Sequence, residues 1–410
     1  MRISRLYAGQ RFALTTVMGL VLTGVATAPA HAETAREQQW HLDAMHAEKM
    51  WRTSTGEGIT VAVLDSGVDK NAVDLRGQVL DGIDYSEQKG DEHTDLVEHG
   101  TQMAALIAAT GASGKDSGTY GLAPDAKILP IRLPYEWERG AGKEGEFTEK
   151  MALAIRFAAD SDAKIINISM SGPMSNPKLT AAVNYALGKG KLIFAAVGNS
   201  GDLRNETRYP AATPGVVGVA GVDRHAKPYK DSQWGPQVDL AAPAVDVVSA
   251  CPNSSQICGG DGTSMAAALA SASAALLWSQ HPDWTNYQVL RVLLQTASGN
   301  DKGLSRDDVI GYGVVRPRIA LTEPGDPGLA DEYPLPDLAA KAPAPSSSQP
   351  SKAAKDSAEP AAGPAASGDD DGDGDGDTAT VGIAIGAGAA VLLGAGVAVW
   401  AVRRRRSRTP

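Results

Sequence analysis

The chain has 410 residues, 43% of them apolar, and a formal net charge of −10. That is enough apolar material for a substantial core, and the acidic balance argues against nucleic acid as a main partner. The sum hides a segregation, because acids gather in an Asp/Gly tract at 368–377 and arginines in a run at 403–406.

The N-terminus reads as an export signal. Arg2, Arg5 and Arg11 precede or open an apolar stretch at 12–28, and Ala30-His31-Ala32 offers a small-x-small cleavage site. Residues 1–32 are therefore expected to be a signal peptide, with a mature chain starting near Glu33 outside the cytoplasm. Residues 33–58 are polar, carry Trp40 and Trp51, and are too short for a domain. They are expected to wrap the domain that follows, at 59–321.

Ile59-Thr60-Val61-Ala62-Val63-Leu64 has the continuous apolar character of a strand buried on both faces of a parallel sheet. It ends in Asp65-Ser66-Gly67. An Asp at that edge sits where open α/β sheets place their ligands, although an ordinary turn Asp reads the same way. Next, Glu98-His99-Gly100-Thr101 opens an apolar helix at 102–108. A strand is expected at 128–133, an exposed charged loop at 135–149, and an amphipathic helix at 150–160. Further strands are expected at 164–170, 192–197, 216–222, 238–241 and 245–250, with helices at 178–188 and 286–296. Strands alternating with helices define an α/β fold with a parallel central sheet flanked by helices on both faces.

Gly259-Gly260-Asp261-Gly262-Thr263-Ser264 leads into a run of Ala, Ser and Leu that stops at His281-Pro282. Small residues on nearly every face suit a buried helix, with Ser264 at its N-terminus. Free backbone N–H groups there can stabilise a developing negative charge. Ser264 is a candidate nucleophile or, equally, a plain N-cap serine. The two cysteines, Cys251 and Cys258, lie just upstream and are expected to pair in an oxidising compartment. No zinc-like spacing exists.

From about 322 the composition turns to Pro, Ala, Ser and Lys, then to Asp and Gly, so 322–380 reads as a disordered linker. Asp371-x-Asp373-x-Asp375-Gly376 resembles the opening of a calcium loop, but position twelve falls on Gly382 where a bidentate Glu is expected. We read it as a solvated acidic spacer. Residues 381–402 are uncharged, apolar and long enough to cross a bilayer, and the arginines behind them mark a cytoplasmic tail at 403–410. The expected localisation is a single-pass membrane protein with its N-terminal domain outside.

Asp65, His99 and Ser264 come in the order acid, base, nucleophile. A serine hydroxyl needs a base to take its proton and a carboxylate to hold that base in the right tautomer. The oxyanion formed at the attacked carbonyl needs fixed donors, for which the Ser264 N–H and the Asn199 side-chain amide are the candidates. Asp65-Ser66-Gly67, His99-Gly100-Thr101, Gly198-Asn199 and Gly262-Thr263-Ser264-Met265-Ala266 resemble, in order, the four signatures of the subtilisin-like serine proteases, or subtilases. The likeness runs from about Trp40 to Ile319. It implies endopeptidase activity by an Asp–His–Ser triad through an acyl-enzyme. It also implies that Ser169-Met170-Ser171 lies along the substrate beside the primary specificity pocket. The layout of signal, Trp-containing segment, protease domain, linker and membrane helix resembles the mycosins, membrane-anchored subtilases associated with type VII secretion.

Three positions depart from the subtilase pattern: Ala268 for Pro, Ala105 for Gly and Ser171 for Gly. The first two are expected to alter helix packing only; Ser171 bears on specificity. We expect no cofactor and no bound metal. The expected partners are peptide substrates, the membrane and secretion-machinery proteins. A rival reading makes the domain mainly a docking subunit of a secretion assembly with dispensable proteolysis.

Overall fold

The apolar runs become parallel strands in the computed structural model, which describes residues 33–135, 142–251, 257–298 and 305–339. Helices α1 (Ala35–Gln38), α2 (Trp40–Met45) and α3 (Ala47–Met50) come first. Then follow β1 (Thr60–Asp65), β2 (Ile83–Asp84), α4 (His99–Ala108), β3 (Lys127–Arg132) and α5 (Glu144–Asp160). Next are β4 (Ile165–Ile168), α6 (Pro177–Gly188), β5 (Leu192–Ala196), β6 (Val217–Val222) and β7 (Leu240–Pro243). The chain continues through β8 (Val247–Ala250), β9 (Ile257–Gly260), α7 (Thr263–Gln280), α8 (Asn286–Thr296), α9 (Pro317–Thr322) and α10 (Pro336–Ala339).

Seven strands form one parallel sheet in the order β2-β3-β1-β4-β5-β6-β7. Alternate side chains of β1 enter two different cores. Val61 and Val63 join the layer of α4, α7 and α8, whereas Ala62 and Leu64 join the layer of α5 and α6. Both faces are covered, so a strand without polar alternation is stable here. Helix α7 is buried from Thr263 through Trp278, and its Ala and Ser side chains let it lie close under the sheet. Ala105 on α4 and Ala268 on α7 are both buried in the core that these two helices share.

The segment 33–58 folds as three short helices tied to the domain by side chains. Gln39 accepts from Tyr120 N and donates to Tyr120 O (2.9 and 2.8 Å), and the Trp51 indole donates to Leu122 O (2.9 Å).

Two expectations need correction. The stretch 135–149 is not wholly loop, because α5 begins at Glu144. Glu144 and Glu146 in its first turn complement the helix dipole, and Phe147 and Thr148 are buried. The domain also does not end at 321. Residues 323–339 form a strap along α8, in which Gln288, Arg291 and Gln295 donate to the carbonyls of Gly328, Glu332 and Pro324. Leu335 is buried, and Asp337 accepts from Gly215 N. Met1–Pro345 form one unit and Ser346–Pro410 a second, which lies outside the described residues. So do the expected signal peptide, most of the linker, the 381–402 span and the basic tail. Among the described residues no helix is long and apolar enough to cross a membrane.

Candidate active site

The site gathers at the C-terminal ends of β1, β4 and β5, three adjacent strands in mid-sheet, where a parallel sheet opens its crevice. Asp65 ends β1 and is fully buried. Its Oδ1 accepts from Ser66 N at 2.7 Å and pairs with His99 Nδ1 at 2.8 Å. His99 opens α4, reached through Glu98 in the left-handed conformation (φ 70°). Gly100 is required at this junction, since a Cβ there would stand 2.1 Å from Gly67 O.

Asp95 builds the turn that delivers His99. Its Oδ1 accepts from Val97 N, Glu98 N and Ser66 Oγ, and its Oδ2 from Thr101 N and Thr101 Oγ1. Ser66 Oγ in turn accepts from Gly100 N at 3.0 Å, joining the loop after Asp65 to the start of α4. Burial raises the Asp95 pKa, against the hydrogen bonds from Thr101 and Ser66, and the Asp65 charge raises it further. Burial pulls the His99 pKa down. The Asp65 charge and hydrogen bond, with the Asp95 charge, outweigh it and hold His99 above the ordinary histidine value. Asp95 escaped the reading of the sequence, although an Asp just ahead of a helix start is a capping signal.

Ser264 is the second residue of α7, 7% exposed. Asn199 lies three residues beyond β5. Its Oδ1 accepts from Thr263 N (2.9 Å) and Thr263 Oγ1 (3.0 Å), and Thr263 Oγ1 accepts from Gly198 N (3.1 Å). With its oxygen so used, the Asn199 amide presents Nδ2 on the Ser264 side. A Cβ on Gly262 would stand 3.2 Å from Ser264 Oγ and 3.3 Å from Asn199 Nδ2. The missing side chain at 262 therefore leaves a space reached by both the hydroxyl and the amide donor. His99, Asn199 and Ser264 line one cleft of about 240 Å³, together with Ser169, Met170 and Ser171. Among the described residues no hydrogen bond yet joins His99 to Ser264; such links often close only with substrate bound.

A buried polar chain braces the serine from below. Ser271 Oγ donates to Asn167 Oδ1, Asn167 Nδ2 donates to Ser169 Oγ, and Ser169 Oγ donates to Ser264 O, each at 3.0 Å. Asn167 and Ser271, unnoticed in the sequence, are both fully buried. Cys251 and Cys258 are bonded (S–S 2.04 Å) across the antiparallel β8–β9 hairpin that leads to α7. Asp81, Glu92 and His93 bring potential ligand atoms within 4.8 Å of one another near the surface. This group is remote in role from the cleft, which it does not line.

A parallel α/β sheet with an Asp–His pair and a helix-borne serine at its carboxyl edge is the framework of a subtilisin-type fold. The profile of the subtilase family (peptidase S8) matches residues 56–313, and the chain belongs to that family of serine endopeptidases. It is similar to the thermophilic serine proteinase of Bacillus sp. strain AK1, at 34% identity over 278 residues, covering 68% of this chain and 65% of that protein. The chain thus spans slightly under two thirds of that relative. Mycosin-1 of Mycobacterium tuberculosis strain H37Rv is 31% identical over 326 residues, covering 68% of this chain and 71% of that protein. A chain in the structure of the periplasmic assembly from the ESX-5 inner membrane complex aligns with TM-score 0.62 at 27% identity, covering 78% of this chain and 90% of that one.

Proposed function

We propose that this chain is an extracytoplasmic serine endopeptidase working through Asp65, His99 and Ser264. The observation that carries the reading is the 2.8 Å Asp65–His99 hydrogen bond at the edge of a cleft that Ser264 and Asn199 also line. His99 Nε2 takes the proton of Ser264 Oγ as the hydroxyl attacks the substrate carbonyl. Asp65 holds Nδ1 protonated and stabilises the imidazolium that forms. The carbonyl oxygen, now an oxyanion, is held by the Ser264 N–H and Asn199 Nδ2. His99 then returns the proton to the leaving amine, and a water repeats the sequence to release the acyl group. The Ser169-Met170-Ser171 segment flanks the substrate. No step calls for a cofactor.

The mycosin relative and the apolar span at 381–402 support a membrane-anchored role in type VII secretion, with the protease domain outside and the arginine tail inside. A fluorophosphonate probe applied to residues 33–345 tests the chemistry. Wild type should label, while Ser264→Ala and His99→Ala should not; a folded, unlabelled wild type would sink the proposal. The docking alternative draws on the likeness to a chain of the ESX-5 assembly. It predicts that Ser264→Ala preserves secretion while deletion of 381–402 abolishes it.

A further inference from the structure

We propose that Arg208 makes this protease select peptides with an acidic side chain on the residue whose carbonyl Ser264 attacks, so that it cleaves after glutamate or aspartate. The inference rests on the protease reading above and adds the substrate class.

Arg208 borders the same cleft as His99, Asn199 and Ser264. Apart from His99, the other described residues lining it are uncharged. The Arg208 side chain is only 23% exposed, yet among the described residues its guanidinium donates no hydrogen bond. Its nearest carboxylate, Glu206 Oε2, is 3.8 Å away, and Glu206 is 43% exposed with Arg204 closer to it at 3.3 Å. An exposed pair at that distance contributes little. Its N–H donors are thus left largely unspent at the cleft, with the head open to water and the stem packed.

The group is also held in place. A Cβ on Gly198 would stand 3.1 Å from Arg208 Cγ, so the stem rests against the residue that precedes Asn199. The following residue, Tyr209, exchanges two 2.9 Å backbone hydrogen bonds with Gly172, next to Ser171. Arg208 is therefore tied at its stem to the oxyanion donor's loop and through its neighbour to the strand end beyond Ser171, and it lines the cleft that the attacked residue's side chain would enter. A guanidinium pairs a carboxylate through two parallel hydrogen bonds, and desolvation strengthens the pair. A lysine or arginine in the same place would meet a like charge, and an apolar side chain would leave the guanidinium unpaired.

The test uses peptides identical except for Glu, Asp, Gln, Leu or Lys at that one residue. Wild type should favour Glu over Gln in kcat/KM by about 10- to 100-fold, the range for a hydrogen bond to a charged group. Arg208→Glu should reverse the order towards Lys, Arg208→Gln should level it, and Arg208→Lys should keep a reduced acid preference. In parallel, binding of the intact Glu and Gln peptides to Ser264→Ala, read by fluorescence anisotropy, needs no turnover and should show the same ranking. Circular dichroism checks that each variant is folded, and Arg208→Gln serves if the charge reversal is not. Equal use and equal binding of Glu and Gln peptides, or a ranking unmoved by Arg208→Gln, would overturn the proposal. Fluorophosphonate labelling without acid preference sinks Arg208 alone. An unlabelled wild type sinks the protease reading, and the anisotropy arm still decides whether Arg208 reads carboxylates.

Discussion

At the scale of single residues, the site depends on absences as much as on functional groups. Gly262 leaves open the space between Ser264 Oγ and Asn199 Nδ2, and an Ala there would put a methyl group 3.2 and 3.3 Å from them. Gly262→Ala is expected to lower kcat by about 10²- to 10³-fold, as for loss of one oxyanion donor in the related subtilisin. Its melting temperature should fall less than that of Gly100→Ala, whose Cβ would strike Gly67 O at 2.1 Å. Peptide kinetics beside calorimetry separate the two. His99 must be neutral to act as a base, and its pKa lies above the ordinary 6.5. Activity should therefore rise with pH through a midpoint above 6.5. Asp65→Asn removes the raising charge, so the midpoint should move down while kcat drops about 10⁴-fold. A pH profile of kcat/KM for both proteins checks this. Asp65, His99, Ser264 and Asn199, the residues of the proposed chemistry, stood out in the sequence because turn glycines and helix starts surround them. Asp95, Asn167 and Ser271 were not, since a capping Asp or a buried amide has no sequence mark until its partners are known.

At the scale of elements, those with a local cause were readable. Helix α8 runs Asn286–Thr296 as expected because Thr285 and Gln288 form a capping box and its apolar side is regular. The strap 323–339 was not readable, because side chains of a distant helix hold its backbone carbonyls and no periodicity of its own betrays it. Helices α1–α3 escaped because they are too short to show a helical period, although Thr34 and Glu37 form a capping box at α1. The strap's end lies in an acidic neighbourhood with a pH signature. Asp239, accepting from Gly218 N at 2.9 Å, is pushed up to about 8 by burial; the Gly218 hydrogen bond opposes this, the Asp337 charge adds to it, and Arg306 opposes it. Tyr333 and Tyr312 face the same charges and are raised, by burial first. A carboxyl raised from 3.8 to about 8 keeps in the folded state a proton that the unfolded chain has released. This contribution therefore lowers stability as pH rises between those values. Asp239→Asn can still accept from Gly218 N and should flatten the dependence. Urea midpoints at pH 5 and pH 8 measure it.

For the whole molecule, a parallel sheet with a core on each face follows from apolar runs that only a doubly covered sheet can bury, whereas the strand order does not. Where the domain stops does not follow, because composition alone places the boundary at 321. A chain ending at 321 would lose Leu335 from the core and the strap bonds along α8. Burying one leucine contributes about 1.5–3 kcal/mol, so residues 33–321 should melt roughly 5 °C or more below 33–345. Differential scanning calorimetry of the two lengths decides it. The disulfide across the β8–β9 hairpin closes only a short loop and should matter less for that comparison than the strap.

The strap also sets how the domain would respond to being pulled by its C-terminal end. Read back from its C-terminal end, the strap is held by Asp337 on Gly215, then Glu332 on Arg291, Gly328 on Gln288 and Pro324 on Gln295. Tension from that side would reach the Asp337 bond first and the Pro324 bond last. None of these bonds involves Asp65, His99 or Ser264, so the strap can loosen without breaking a hydrogen bond of the cleft.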